Sequence, residues 1–403
     1  MFGPKHYVPI LRWKQGERLA LRALRPDDRS RITPLIELPQ KMFEARKEQE
    51  EAGTPEQGCA LFPEAEDQKP DPGQVLLDAA KSILEAWQHS RFFLDLCHID
   101  ERVEQIQGTT HPLAYIAAEA RRIKLSLVPV TGLSRRVEYR AAVAQVVAAD
   151  GRGACVRVTP DEVLRSTFIA ELADHLRRLS LKAVDIDLLV DCQDFDPEKP
   201  TIELLLDRIP LLGAWRTLTV ASGAFPKDLQ QYKDPGRYTI PRNDWLAWRR
   251  ALEQKGLPRK PSFSDYTIQY GCYKEPPDHC NPSASIRYAL SEEWLLMRGE
   301  GIFNKDGPGP SQWPANATLL RESKEFYGPG FSDGDEYISR MGDGAENNGN
   351  AGTWLRAGIN HHMTVVARQI ASLPDSLAVD GRRRANSCSL PQQPTRRKSI
   401  RGT

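Results

Sequence analysis

The sequence has no stretch of about 18 apolar residues, the length that a membrane-spanning helix needs. Its opening residues, MFGPKHYVPILRWKQGE, hold no apolar run of signal-peptide length and no small-residue cleavage site, so a cytoplasmic location is expected. Cysteine is sparse: seven residues, odd in number and scattered. That argues against a disulfide framework and for a reducing compartment. An excess of either charge is lacking too, since 55 Lys and Arg face 54 Asp and Glu for a formal net charge of +1. No global field then draws the chain to nucleic acid or to an anionic membrane. Common signatures of chemistry are also missing: no G-x-S-x-G elbow, no Walker-type phosphate loop, no H-E-x-x-H.

What is present is a core. Hydrophobic residues make up 40% of the chain and charged residues 27%, which fits a globular protein. Short β-branched runs alternate with amphipathic ones. The runs predict strands at residues 7–13, 32–38, 92–99, 125–130, 154–158, 184–190, 217–221 and 263–268. Helical patterns fall between them, at 16–24, 75–87, 112–123, 137–149, 168–179, 202–212 and 245–254. Strict alternation implies right-handed βαβ units and a parallel sheet. Eight such units point to an α/β fold, a (β/α)8 TIM-type barrel. An open doubly wound sheet is the competing fold, and the missing G-x-G-x-x-G turn weighs against it.

The rest of the chain decorates this barrel. Residues 44–73 are polar and rich in Pro, Gly and Glu, and read as a flexible insertion. SIRYAL (residues 285–290) and WLLMR (residues 294–298) suggest an appended hairpin. Residues 299–350 read as long loops around one short helix, and 353–373 as a closing helix. The expectation is one barrel domain over 1–373 and a disordered basic tail over 374–403.

Barrel active sites lie at the carboxyl ends of the strands. Glu37, Asp95, Arg157, Asp191 and Asp265 fall there and are the candidate catalytic residues. Strand period two puts Leu35 with Glu37, Cys155 with Arg157, Asp187 with Leu189 and Asp191, and Phe263 with Asp265. Those faces are expected to look into the barrel. Buried carboxylates cost several kcal/mol each unless compensated, so converging ones need a cation. Arg157, whose fork satisfies two carboxylates, is one source, and a bound divalent metal is the other. No specific metal or cofactor is identified. The bland alternative stays open: these carboxylates simply cap and salt-bridge strand ends. The basic cluster around 242–260 carries Trp245 and Trp248, a pattern that holds single-stranded nucleic acid when the rings are exposed. The same spacing also makes the two rings a buried helix stripe.

Several segments carry a family resemblance: KQGERLAL (14–21), PLIELP (34–39), ASGAFPKDL (221–229), RNDWLAW (242–248), FSDYTIQY (263–270), SIRYAL with WLLMRGEG (285–301) and TWLRAGINHHMTVV (353–366). Together they resemble the Beta protein family, named after a bacteriophage beta protein. The resemblance runs to about residue 373. It marks Lys14, Glu17, Tyr266, Asn360 and His361 as ligand-binding candidates, beside Arg287 as an anion holder. It implies an accessory or recognition protein in phage–host conflict, with a protein partner or small anionic ligand. A barrel hydrolase of a phosphate ester or nucleotide, metal-assisted, is the alternative, and nucleic-acid binding the second alternative.

Overall fold

The computed structural model describes residues 2–44, 70–99, 106, 110–272, 280–344 and 347–378. Eight parallel strands close into a barrel. In chain order they are β1 (Tyr7–Arg12), β2 (Leu35–Glu37), β3 (Arg91–Asp95), β4 (Ser126–Thr131), β5 (Ala154–Val158), β6 (Ile186–Asp194), β7 (Thr217–Gly223) and, after an outlying β8 (Gly236–Pro241), β9 (Ser262–Asp265). Each pairs with its neighbour, and β9 closes the ring against β1 through Tyr7 with Phe263 and Pro9 with Asp265. This is the (β/α)8 arrangement that the alternation of patterns predicts.

Capping chemistry sets where the outer helices begin. Asp71 accepts from the Gln74 amide, with Pro72 in the first turn of helix Pro72–Trp87. Thr159 and Glu162 form a reciprocal capping box ahead of Pro160–Leu164. The core lies in two layers. Val8, Ile10, Leu35, Phe93, Val128, Val130, Cys155, Leu189, Ala221 and Tyr266 fill the barrel. A larger apolar shell joins the outer strand faces to the helices. Asp187 closes the amino end: it accepts from Arg216 Nη2 at 2.7 Å and from the Thr217 hydroxyl at 2.7 Å, and it pairs with Arg91.

The appended region is more ordered than its composition suggests. β10 (Ile286–Ala289) and β11 (Glu293–Arg298) form the expected antiparallel hairpin. A third strand, β8, joins β11, so the hairpin is the edge of a three-stranded sheet. Among the described residues of 299–350 there are two α-helices, Gln312–Arg321 and Asp333–Gly342, rather than one. They cluster with Tyr288, Leu295 and Trp354 in a second apolar core. Helix Ala351–Ala371 packs between this region and the barrel. Gly358 makes that contact close: a Cβ there would meet the Arg287 carbonyl oxygen at 2.8 Å. Residues 45–69 of the expected insertion and 379–403 of the expected tail lie outside the described residues. The first residues past 373 are helical, over Asp375–Ala378, and Asp375 pairs with Lys5 at 2.7 Å. No helix among the described residues is long and apolar enough to cross a membrane.

Candidate functional site

The carboxyl ends of β2, β3, β5 and β6 converge on one side chain. Arg157 leaves β5 toward the barrel axis and donates from Nη1 to Glu37 Oε1 at 2.7 Å and to Asp95 Oδ2 at 2.9 Å. Its Nε and Nη2 both reach Asp191 Oδ2, at 2.9 and 2.7 Å. The Tyr266 hydroxyl, 3.0 Å from Arg157 Nη2, donates to Asp191 at 2.8 Å. The carboxylate side chains are 0–2% exposed and the Arg157 side chain is 11% exposed. At that depth each carboxylate needs a compensating charge, and the guanidinium fork supplies it.

Further groups complete the cluster. Arg135, from the loop after β4, donates to Asp95 Oδ2 at 2.7 Å. Tyr139 donates to Asp95 and accepts the Leu96 amide at 3.1 Å. His98 Nε2 lies 3.1 Å from Glu37 Oε2, and the Cys97 thiol lies 3.8 Å from Glu37 Oε1. Arg12, buried at the end of β1, donates to the Gly271 carbonyl at 3.0 Å and sits over the Tyr266 ring. Gly271 allows the chain after β9 to cross close to β6, since a Cβ there would lie 2.5 Å from the Gln193 carbonyl oxygen.

Electrostatics follow this geometry. Burial alone would raise the Glu37 carboxyl, but the Arg157 charge and the hydrogen bonds from His98 and Arg157 hold it well below the usual range. Burial works against the Arg157 charge, yet Asp191, Tyr266, Glu37 and Asp95 push its pKa well above the ordinary value. Burial and the neighbouring Asp191 charge raise the Tyr266 hydroxyl, so it stays a donor. Burial, Asp95 and Glu37 likewise raise the Cys97 thiol.

The structure thus brings Glu37, Asp95, Arg157, Asp191 and Tyr266 together and places other candidates elsewhere. Asp265 points outward, the opposite of the expected inward face. It accepts from the Tyr7 hydroxyl and the Thr267 amide, and meets His362 Nε2 at 2.8 Å. Phe263 faces outward with it, while Ser264 and Tyr266 take the inner phase. Asn360 and His361 are also away from the mouth. Asn360 bonds the Gly334 amide and the Ala20 carbonyl. His361 is held between Asp335 and the Ala289 carbonyl, both at 2.8 Å, and stacks on Tyr288. These pairings fix helix Ala351–Ala371 against its neighbours. Glu17 is buried beside the mouth, bonded to Gln269 at 2.8 Å, and burial raises its pKa. Lys14 is half-buried after β1, and its charge acts on Glu17. Arg287 donates to the Ile268 carbonyl at 2.8 Å and lies over the Phe225 ring.

Arg12, Arg135 and Cys97 join the cluster without having been among the candidates. Period two from Val8 and Ile10 reaches Arg12, so that signal is in the sequence; Arg135 comes from a loop and carries none. Trp245 and Trp248 are each 1% exposed, so neither ring is free to stack on a base. For a metal, Glu37, Cys97 and His98 each bring one donor atom within 4.8 Å of the others.

A family model described as Beta protein matches residues 7–368. No curated protein matches the chain. Among solved structures, one titled "Crystal Structure of SacUVDE" is similar at 9% identity and a TM-score of 0.29, over 66% of this chain and 93% of that one.

Proposed function

The chain belongs to the Beta protein family, and on that footing we infer that it is a recognition protein whose barrel mouth binds rather than reacts. One observation carries this reading: Arg157 engages Glu37, Asp95 and Asp191 together. A general base needs a carboxylate free to take a proton near the working pH. Glu37 is held ionised far below that, and Asp95 is shared by Arg135 and Arg157. A mouth whose charges are already balanced and locked is preorganised for a fixed ligand. Arg135, Arg157 and His98 retain partial exposure there and suit a small anion or an acidic segment of a partner protein. The setting is phage–host conflict, as the family resemblance implies.

Affinity capture from phage-infected and uninfected bacterial cells tests this, with wild type and an Arg135→Glu variant side by side. A partner or anion retained by wild type and lost by the variant supports the reading. Equal capture by both, or none by either, overturns it.

A second reading, a metal-assisted hydrolase of a phosphate ester or nucleotide, draws on the convergence of Glu37, Cys97 and His98. Turnover of a nucleotide or phosphodiester with Mg²⁺ or Mn²⁺, abolished by changing Glu37, would put it ahead of recognition.

A further inference from the structure

Cys97 and His98 follow β3 in a tight turn, closed by the Ile99 amide on the Leu96 carbonyl at 3.2 Å. Both side chains reach back to one carboxylate, Glu37, at the end of the adjacent β2. Strand register places Glu37 directly beside Asp95, so the turn that follows Asp95 overhangs it. The result is one sulfur, one imidazole nitrogen and one carboxylate oxygen within 4.8 Å of one another. We propose that Glu37, Cys97 and His98 form a binding site for a divalent ion of the zinc class at the barrel mouth.

The donor spacing suits such an ion. Zinc holds nitrogen and oxygen at about 2.0–2.2 Å and sulfur at about 2.3 Å, so tetrahedral edges come to about 3.3 Å for N to O and 3.5 Å for S to O. The structure has 3.1 Å from His98 Nε2 to Glu37 Oε2, close to the N-to-O edge. Cys97 Sγ lies 3.8 Å from the other carboxylate oxygen, Oε1, within a donor set whose atoms fall inside 4.8 Å of one another. The nitrogen and oxygen are already at edge spacing, and the sulfur draws in as the ion binds. The donor chemistry selects the metal. Sulfur with nitrogen favours zinc or a similar transition ion, whereas magnesium and calcium take oxygen sets. The thiolate offsets one of the ion's two charges, Glu37 shares its carboxylate between the ion and Arg157, and the imidazole stays neutral. On binding, the Sγ–H bond breaks, the proton leaves to solvent, and the sulfur bonds the ion.

Arg157 acts as an outer partner. Its Nη1 takes Glu37 Oε1, which fixes the carboxylate and turns Oε2 toward His98. Three protein donors is the number found where a metal keeps a coordination position for water or a ligand atom. The site stands apart from the recognition reading, because metal loading is measured without any partner or turnover.

Full-length protein, stripped with chelator and dialysed, is titrated with Co²⁺ and then with Zn²⁺. The expected result is saturation near one equivalent, with thiolate-to-cobalt charge-transfer absorption in the near-ultraviolet that Zn²⁺ removes. Cys97→Ser, which breaks no ion pair, abolishes that band while far-ultraviolet dichroism stays as in wild type. His98→Ala and Glu37→Gln weaken binding by more than the roughly 10–100-fold typical of an outer partner. Cys280→Ser, at an exposed thiol, leaves the titration unchanged. No cobalt band in wild type overturns the site, as does a band that survives Cys97→Ser. If Glu37→Gln does not fold, His98→Ala decides: unchanged affinity there overturns the site.

Discussion

Asp265 and Tyr266 are neighbours in the chain and face opposite sides of the barrel wall. Tyr266 reaches Asp191 inside the mouth at 2.8 Å, while Asp265 meets His362 outside it at 2.8 Å. Replacing them therefore separates two roles. Asp265→Asn leaves the mouth intact and costs about 1–3 kcal/mol, because a buried partner is left unsatisfied. Tyr266→Phe costs about 1 kcal/mol and alters whatever the mouth binds. Urea unfolding and affinity capture on the two variants check this; loss of capture in a folded Asp265→Asn protein would contradict it.

Arg157 is the least replaceable residue of the cluster. Arg157→Met leaves buried carboxylates uncompensated and should cost about 3–5 kcal/mol. Adding Glu37→Gln or Asp191→Asn to that variant should recover part of the loss, since each removes a stranded charge. Urea midpoints measure both steps. A midpoint equal to wild type in Arg157→Met would show that the carboxylates do not depend on it.

Three buried groups outside the mouth contribute to the pH response. Burial, with the Asp265 charge close by, raises Asp244 from 3.8 to about 7. Between those values the folded chain holds a proton that the unfolded chain has released. Its contribution to stability is therefore present at low pH and is lost as pH rises through about 7. His6 and His175 act in the other direction. Burial, aided by the N-terminus for His6 and by Arg140 for His175, lowers both to about 4. Their contribution is present above about 6.5 and is lost as pH falls toward 4. The stability of wild type minus that of Asp244→Asn isolates the first effect and should decline between about pH 4 and 7. A flat or rising difference would refute the assignment.

The helix Asn243–Glu253 is expected to hold no nucleic acid. Its tryptophans are packed against Phe263, with ring centroids 5.1 Å from Trp245 and 5.2 Å from Trp248. Charge reversal at the exposed Arg250 and Lys255 should leave any oligonucleotide binding and its salt slope unchanged. Fluorescence anisotropy against salt measures it, and a slope that falls with the two changes would restore that helix as a binding face.

The barrel was legible because its strands and helices differ in period, and most strands announced themselves by short runs of β-branched or aromatic residues. Glu37, Arg157 and Asp191 were legible at the mouth because each is a charged residue near the carboxyl end of a largely apolar strand. In β9 the inward phase is hidden. Both sides of a barrel strand are buried, so Phe263 gives no clue to its direction, and a one-residue slip exchanges Asp265 with Tyr266. β8 escaped notice because only Ile240 of its residues is buried, leaving no apolar alternation to read. Asn360 and His361 resembled mouth residues as polar groups near glycine. Their partners, Asp335, Ala20 and Gly334, lie 25 or more positions away in sequence, and pairing of that kind leaves no local mark.

The contact between Asp265 and His362 also orders events in time. The ring of strands is complete in sequence at β9, yet the imidazole that meets its outward carboxylate lies 97 residues further on. A ribosome must release almost the whole matched stretch before that buried acid gains this partner. Until then the nascent barrel carries on its flank a carboxylate whose Oδ1 is held by Tyr7 and Thr267 but whose Oδ2 awaits its imidazole, and shortening the chain before residue 362 should leave newly made protein sensitive to proteases.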